Sequence, residues 1–376
     1  MNGTTLPTRL EEYLRKGAHV WLFMLIFSTF LAEALALALI GMWLATRRIR
    51  RTPLDFFILC FLAVRVLTIC TAIAPETSMH ALRKIPFILV YFPLAHLVRH
   101  FGAKELCKLL CTLVLAGLAA SVVGLLRTLL APMWRLASTT SGATTLAMFL
   151  ATTLVIALTL ILRNELRPAR NWLLGGVLML LTLALTRCRA PWLAALAMCV
   201  VILKPVRRSL IPLGMVALVI LLLVPGFGMR HAEILHWPPD FGDRPVIWQA
   251  GWQAAMQRPL MGHGPESFAL LFHTRHELKD KRANAWHNFA LQLLVESGVL
   301  GLASFIALLA QAFRLMQTTA LGLDKNLCAA LRSGLATLLL AGLFGGLIGD
   351  PLLDMLLWAM LGMSSGLVAD ISLDFI

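Results

Sequence analysis

Residues 17–46 read GAHVWLFMLIFSTFLAEALALALIGMWLAT, a run in which Glu33 is the one formal charge. Arg15 and Lys16 precede it; Arg47, Arg48, Arg50 and Arg51 follow it. A hydrocarbon core needs about 20 apolar residues per helical span. One straight helix would put strong positive charge on both sides of the membrane. Two short helices back to back keep both basic ends on the cytoplasmic side, where Lys and Arg concentrate in short loops. The run also exceeds the apolar core of a secretory signal. It predicts a helical hairpin in a membrane protein.

The whole chain supports that reading. Across 376 residues, 59% are hydrophobic and only 14% charged, too apolar for a soluble domain of this size. Further spans are expected at about 54–73, 85–98, 106–128, 142–162, 171–186, 191–203, 209–225, 287–313, 333–348 and 352–369. With the hairpin this is an all-α polytopic membrane protein of about 12 transmembrane helices, a single membrane domain over residues 1–376. A polar loop, 226–286, is inserted between helices 9 and 10. No internal repeat of 20–50 residues is visible.

The net charge of +14 might point to nucleic acid, but its distribution follows membrane topology instead. Segments 47–51, 99–108, 163–170, 204–208 and 314–332 hold sixteen basic residues against three acids, Glu105, Glu165 and Asp324. Placing all five on the cytoplasmic side puts the 226–286 loop outside. No nucleic-acid partner is implied. The seven cysteines lie mostly in apolar runs, so no disulfide framework is expected. Cys107 and Cys111 share a helix face and read as small core residues.

Six of the ten histidines, His231, His236, His263, His273, His276 and His287, fall in or just after that loop. His287 stands where the loop enters the next apolar run, in Ala285-Trp286-His287-Asn288-Phe289-Ala290-Leu291. An imidazole titrates near neutrality and suits a general base at such a mouth; interfacial snorkelling or helix capping is the bland alternative. On a continuous helix Glu296 would lie roughly opposite His287 and about 13 Å along the axis, which excludes it as the orienting carboxylate. Asn288, Gln292 and Glu296 instead form an i, i+4, i+8 polar stripe expected to bond between helices. Gly298 and Gly301 are expected to admit a neighbouring helix.

Within the loop, Asp243-Arg244-Pro245 opens an expected helix over 243–258, Asp243 capping it. Val246, Ile247 and Ala250 are read as its apolar face, with Trp248 and Trp252 stacked at headgroup level. Arg187 and Arg189, in the turn Thr186-Arg187-Cys188-Arg189-Ala190-Pro191, and Arg83 and Lys84 near the fourth span, break the charge rule for outside loops. Guanidinium groups there match a diphosphate, although lipid-headgroup anchoring is an equal reading for any one of them. Arg65, inside a span, is expected to be paired or to line a cavity. The chain has no phosphate-loop motif, no H-E-x-x-H, no Cys/His ligand set and no D-x-D pair, so neither ATP use nor a metal site has support.

Taken in order, Arg187-Cys188-Arg189-Ala190-Pro191-Trp192-Leu193, Asp243-Arg244-Pro245-Val246-Ile247-Trp248, Pro259-Leu260-Met261-Gly262-His263-Gly264, Ala285 to Leu291 and Glu296-Ser297-Gly298-Val299-Leu300-Gly301 resemble the O-antigen ligase and polymerase family of bacterial membrane glycosyltransferases. The resemblance implies a GT-C-like helical fold in the inner membrane with its active site on the periplasmic side. It implies transfer of a glycan from an undecaprenyl diphosphate-linked donor to a hydroxyl of the lipid A core, with inversion and without cofactor or metal. By position His287 resembles the family's essential histidine. Arg189 and Arg244 resemble its diphosphate-binding arginines, and Lys84 or Arg83 a further basic residue. The family often has Ser-Arg-Gly where this chain has Cys188-Arg189-Ala190, which makes Arg187 a second candidate for the role of Arg189. A polymerase of the same family and a transporter of lipid-linked saccharide are the competing readings; a transporter should carry its polar groups near mid-membrane.

Overall fold

The computed structural model describes residues 6–48, 50–131, 135–137, 139, 142–203, 244–273, 285–318 and 323–367. The expected span at 209–225, the Asp243 cap, His231, His236 and His276 lie outside them. Among the described residues the chain is all-helical.

A helical hairpin is present, although its first helix starts at Leu6, ahead of the expected run at 17–46, and is not among the helices long and apolar enough to cross a membrane. Helices α1 (Leu6–Met24) and α2 (Thr29–Ala45) pack against each other. The break falls at Leu25–Ser28, where Ser28 leaves helical geometry and its hydroxyl accepts the Leu31 N–H. After α3 (Asp55–Cys70) comes a broken helical stretch, α4 (Pro75–Phe101), interrupted by the 3₁₀ turn His80–Lys84. Then follow α5 (Ala103–Leu130), α6 (Ala143–Leu162), α7 (Ala169–Leu185), α8 (Arg189–Leu203), α9 (Arg244–Gln257), the short α10 (Phe268–His273), α11 (Phe289–Thr318), α12 (Leu323–Gly342) and α13 (Pro351–Gly366).

Two helices are buried all round, α6 and α13, and the others wrap them. A helix that is apolar on every face belongs at the centre of such a bundle. Helix α6 packs against α7, α8 and α12, and α13 against the end of α4. On the outer helices, large apolar side chains such as Phe30, Phe56, Leu59, Leu126, Leu174 and Leu196 remain exposed, as a lipid-facing surface requires.

Four described helices are long and apolar enough to cross a membrane: Pro75–Phe101, Ala103–Leu130, Ala143–Leu162 and Phe289–Thr318. Thr29–Ala45, Ala169–Leu185 and Arg189–Leu203 are apolar but shorter. The protein is thus a helical membrane protein, whereas the expected count of 12 spans is not reproduced by these lengths. Several expected spans correspond to helices of 15–17 residues, below the roughly 20 needed for a straight crossing.

The described part of the 226–286 loop is packed into the bundle. Helix α9 lies on α11, burying Ile247, Ala250, Gly251, Ala254 and Ala255. Ile247 and Ala250 are thus buried as expected, whereas Val246 is exposed, as is Trp252. Trp248 turns inward, its indole N–H donating to the Trp286 carbonyl at 3.0 Å and its ring meeting Phe344. Small residues line the buried face because Trp286 fills it: a Cβ at Gly251 would stand 2.8 Å from that ring.

Helix α11 is broken at Gly298, whose φ of 62° and ψ of −166° interrupt the helical ladder. Segment 259–264 supplies the missing bonds. His263 N–H donates to the Val295 carbonyl at 2.8 Å, Gly264 N–H to Glu296 at 2.9 Å, and Val299 N–H to Pro259 at 2.7 Å. The close approach expected at Gly298 is therefore made by a loop strand, not by a neighbouring helix. On its other side that segment reaches the end of α3, where Ile73 N–H donates to His263 and Arg258 to the Thr71 carbonyl.

Candidate functional site

Trp286, fully buried beneath α9, fixes the start of α11. His287 follows it with φ of 53°, a left-handed conformation that histidine adopts more readily than most residues. It precedes the helix, which begins at Phe289. The helical angle between His287 and Glu296 expected from the sequence therefore does not apply. Asn288 caps α11 instead of bonding between helices, its Oδ1 accepting the Leu291 N–H at 3.0 Å.

Farther along the same helix the polar stripe does bond across elements. Gln292 Nε2 donates to Glu296 Oε1 at 3.0 Å, and Arg65 Nη1 of α3 donates to Glu296 Oε2 at 2.9 Å and to Ser297 Oγ at 3.1 Å. Glu296 is 3% exposed, so this bidentate use of its carboxylate compensates a charge that would otherwise be costly to bury. Arg65 is both paired and part of a cleft wall.

Arg189, Arg244 and His287 come from three separated parts of the chain; Arg189 acts electrostatically on Arg244, and Arg244 on His287. Arg244, at the first turn of α9, is held below the usual arginine range by its burial and by the like charges of Arg189 and Arg135, with Cys188 opposing them. His287 is held below the ordinary histidine value by burial and then by Arg244. A neutral imidazole thus stands beside a cluster of guanidinium groups. Among the described residues no carboxylate lies in salt-bridge range of Arg135 or Arg244. The arrangement can attract an anion and accept a proton next to it.

Arg187 shares the turn with φ of 55°. Arg135 was not anticipated. Its Nε donates to the Thr186 carbonyl at 3.3 Å and its Nη2 to Cys188 Sγ at 2.9 Å, pinning the turn from the 129–141 connection. The charge rule that singled out Arg187 and Arg189 applies equally to Arg135 and would have found it.

Lys84 is placed elsewhere. Its Nζ meets Glu266 Oε1 at 2.5 Å and the Gly349 carbonyl at 3.5 Å, in a cleft also lined by Arg65, Gln292, Glu296 and Asp354. Two cations, Lys84 and Arg65, stand there among three carboxylates, Glu266, Glu296 and Asp354. Arg83 beside it is exposed. The first turn of α6 joins the two regions: Thr144 touches Cys188 Sγ at 3.8 Å, and Thr145 donates to Asp350 Oδ2 at 2.5 Å. Glu266, Asp350 and Asp354 had carried no signal, because lone acids at helix ends read equally well as caps. Asp350 is indeed one, accepting from the Leu352 and Leu353 N–H groups.

Residues 174–306 match the protein-family model described as O-antigen ligase. Over that region the sequence is similar to the O-antigen ligase family. The match spans Arg187, Arg189, Arg244 and His287, whereas Arg135, Lys84 and Arg65 lie before it. The O-antigen ligase description implies a glycosyltransferase-like ligase or polymerase role in lipopolysaccharide biosynthesis, which suits a helical membrane protein. Comparison with curated proteins gives no match.

Proposed function

We propose that the protein is an O-antigen ligase, moving a polysaccharide from undecaprenyl diphosphate to a hydroxyl of the lipid A core on the periplasmic face of the inner membrane. The observation that carries this reading is the electrostatic link from Arg189 to Arg244 and from Arg244 to His287, whose pKa lies below the ordinary histidine value. In the proposed reaction the diphosphate lies among the guanidinium groups. His287 takes the proton of the acceptor hydroxyl as its oxygen attacks the anomeric carbon. The bond from that carbon to the diphosphate breaks, and the leaving oxygen keeps the electron pair. Fixed cations stabilise the departing charge, and displacement from the opposite face inverts the centre. The basic segments 47–51, 99–108, 163–170 and 314–332 support placing this end of the bundle outside.

Reconstitution with a defined lipid-linked donor and rough lipopolysaccharide tests the proposal: glycan on the core together with released undecaprenyl diphosphate supports it. Movement of intact donor across the membrane without that release would instead indicate a transporter. In cells, loss of a ligase leaves core without O-chain and glycan stranded on its carrier. Loss of a polymerase leaves single repeats attached to the core.

The pH dependence offers a further check. A general base works only when neutral, so kcat/KM falls as pH drops through the free-enzyme pKa of His287. Burial and Arg244 both lower that pKa, which puts the acid limb below the ordinary histidine value of about 6.5. Arg244→Gln removes one of the two causes. Its limb is expected at higher pH than wild type, and an unmoved or lowered limb would separate His287 from Arg244.

A further inference from the structure

At the opposite end of the bundle, a second recess is lined by Arg48, Arg50, Arg99, His96, Thr52 and Trp43. Helix α13 links the two ends, running from Asp350 beside Thr145 to Gly366 against the carbonyl of Ala95. Its sixteen residues place them about 24 Å apart at 1.5 Å per residue. The recess is therefore distinct from the arginine and histidine site.

Its construction favours a phosphate group. Trp43 stacks on Phe92 with centroids 5.3 Å apart and forms an apolar wall. No carboxylate lines it among the described residues. The nearest acids are engaged: Glu11 binds Arg48 at 2.6 Å and His100 at 3.0 Å, and Asp55 accepts the Thr52 N–H at 2.8 Å and its hydroxyl. Arg99 Nη1 donates to the Arg51 carbonyl at 2.8 Å, folding the basic segment over the opening. His96 contributes the second observation. Its Nε2 is buried without a hydrogen-bond partner among the described groups, although its ring lies at the recess. A buried ring nitrogen left unbonded is unfavourable, and a ligand oxygen would satisfy it. Guanidinium and imidazole donors around one opening match phosphate oxygens, and basic pockets between helix ends are where anionic headgroups bind.

We propose that this recess binds a phosphate group, supplied by the headgroup of an anionic lipid or by free phosphate, held by Arg50, Arg99 and His96 with Arg48 at its rim. The site is a structural anchor and takes no part in glycan transfer.

The test uses the purified full chain in zwitterionic detergent, with phosphatidylglycerol, phosphatidylcholine or inorganic phosphate added separately. Affinity is read from the rise in Tm with concentration. Phosphatidylglycerol alone raising Tm identifies the lipid source, and millimolar inorganic phosphate raising it equally identifies the free anion. Each arginine near an anionic surface is expected to contribute about fivefold. Arg50→Gln should thus weaken binding about fivefold, and Arg50→Gln with Arg99→Gln about 25-fold. Arg47→Gln, an equal charge change outside the recess, should weaken it clearly less than Arg50→Gln. If the double variant does not fold, lipid adducts in native mass spectra of Arg50→Gln against wild type and Arg47→Gln give the same comparison. Equal responses to phosphatidylglycerol and phosphatidylcholine without a response to phosphate, or equal losses in Arg47→Gln and Arg50→Gln, would overturn the proposal.

Discussion

Replacement of His287 by alanine is expected to slow glycan transfer about 10²–10⁴-fold, the range a positioned general base supplies. The loss should fall on kcat more than on KM, because the proton is in motion only in the transition state. The measurement is the initial rate in proteoliposomes with defined donor and rough lipopolysaccharide. A complication is the φ of 53° at His287, which alanine adopts less readily. His287→Asn addresses it, since asparagine tolerates the left-handed region but lacks a titratable ring. Asparagine should preserve Tm and donor binding yet lose activity as severely as alanine. Activity above a tenth of wild type in a folded asparagine variant would remove His287 as the base.

Arg244 belongs to the same chemistry through a different term. It cannot take the proton, but its charge both lowers the imidazole pKa and faces the position proposed for the diphosphate. Its removal should therefore impair donor use and shift the acid limb together. A purely structural arginine would alter Tm without moving the pH profile.

The sequence made the hairpin legible because two different signals coincide there. Apolar length exceeds one span, and basic residues flank both ends; the break then falls beside Ser28, a capping residue. The turn at 187–189 was legible for a similar reason, since paired arginines between two apolar runs contradict the charge rule. Arg135 contradicts it too, but it stands alone in a connection with no other signal. The face of α9 was read correctly at Ile247 and Ala250 but not at Val246, and Trp248 turns inward instead of stacking with Trp252. The buried face is set by what Trp286 requires, and that residue lies about 30 positions away, where local periodicity has no access to it. Lys84 was singled out by the charge rule and by its position in the resemblance, and its carboxylate partner Glu266 is far more remote in sequence. The family match at 174–306 takes in Glu266, Gln292 and Glu296 of the Lys84 cleft but not Lys84 or Arg65 themselves.

Substitution of Gly298 by alanine should show the largest effect on stability. Periodicity could not expose the break, because residues 287–313 read as one apolar helix and a small residue inside it usually means close helix packing. Two costs meet at this position. A φ of 62° with ψ of −166° belongs to a region essentially reserved for glycine. A Cβ there would also stand 2.2 Å from the Leu260 carbonyl oxygen, backbone that cannot swing aside as a side chain does. Together they come to about 2–6 kcal/mol, or a fall in Tm of about 3–8 °C for a chain of this size. Gly41→Ala is the comparison, because a Cβ at Gly41 meets nothing within 4 Å and sits in ordinary helix. It should leave Tm within a degree or two, since alanine is the better helix former. The strand at 259–264 ties the α11 break to the end of α3, so Gly298→Ala should also loosen Arg65 from Glu296 and lower activity as Tm falls. A Gly298→Ala protein with wild-type Tm would mean that the helix closes over the break and that segment 259–264 finds its hydrogen bonds elsewhere.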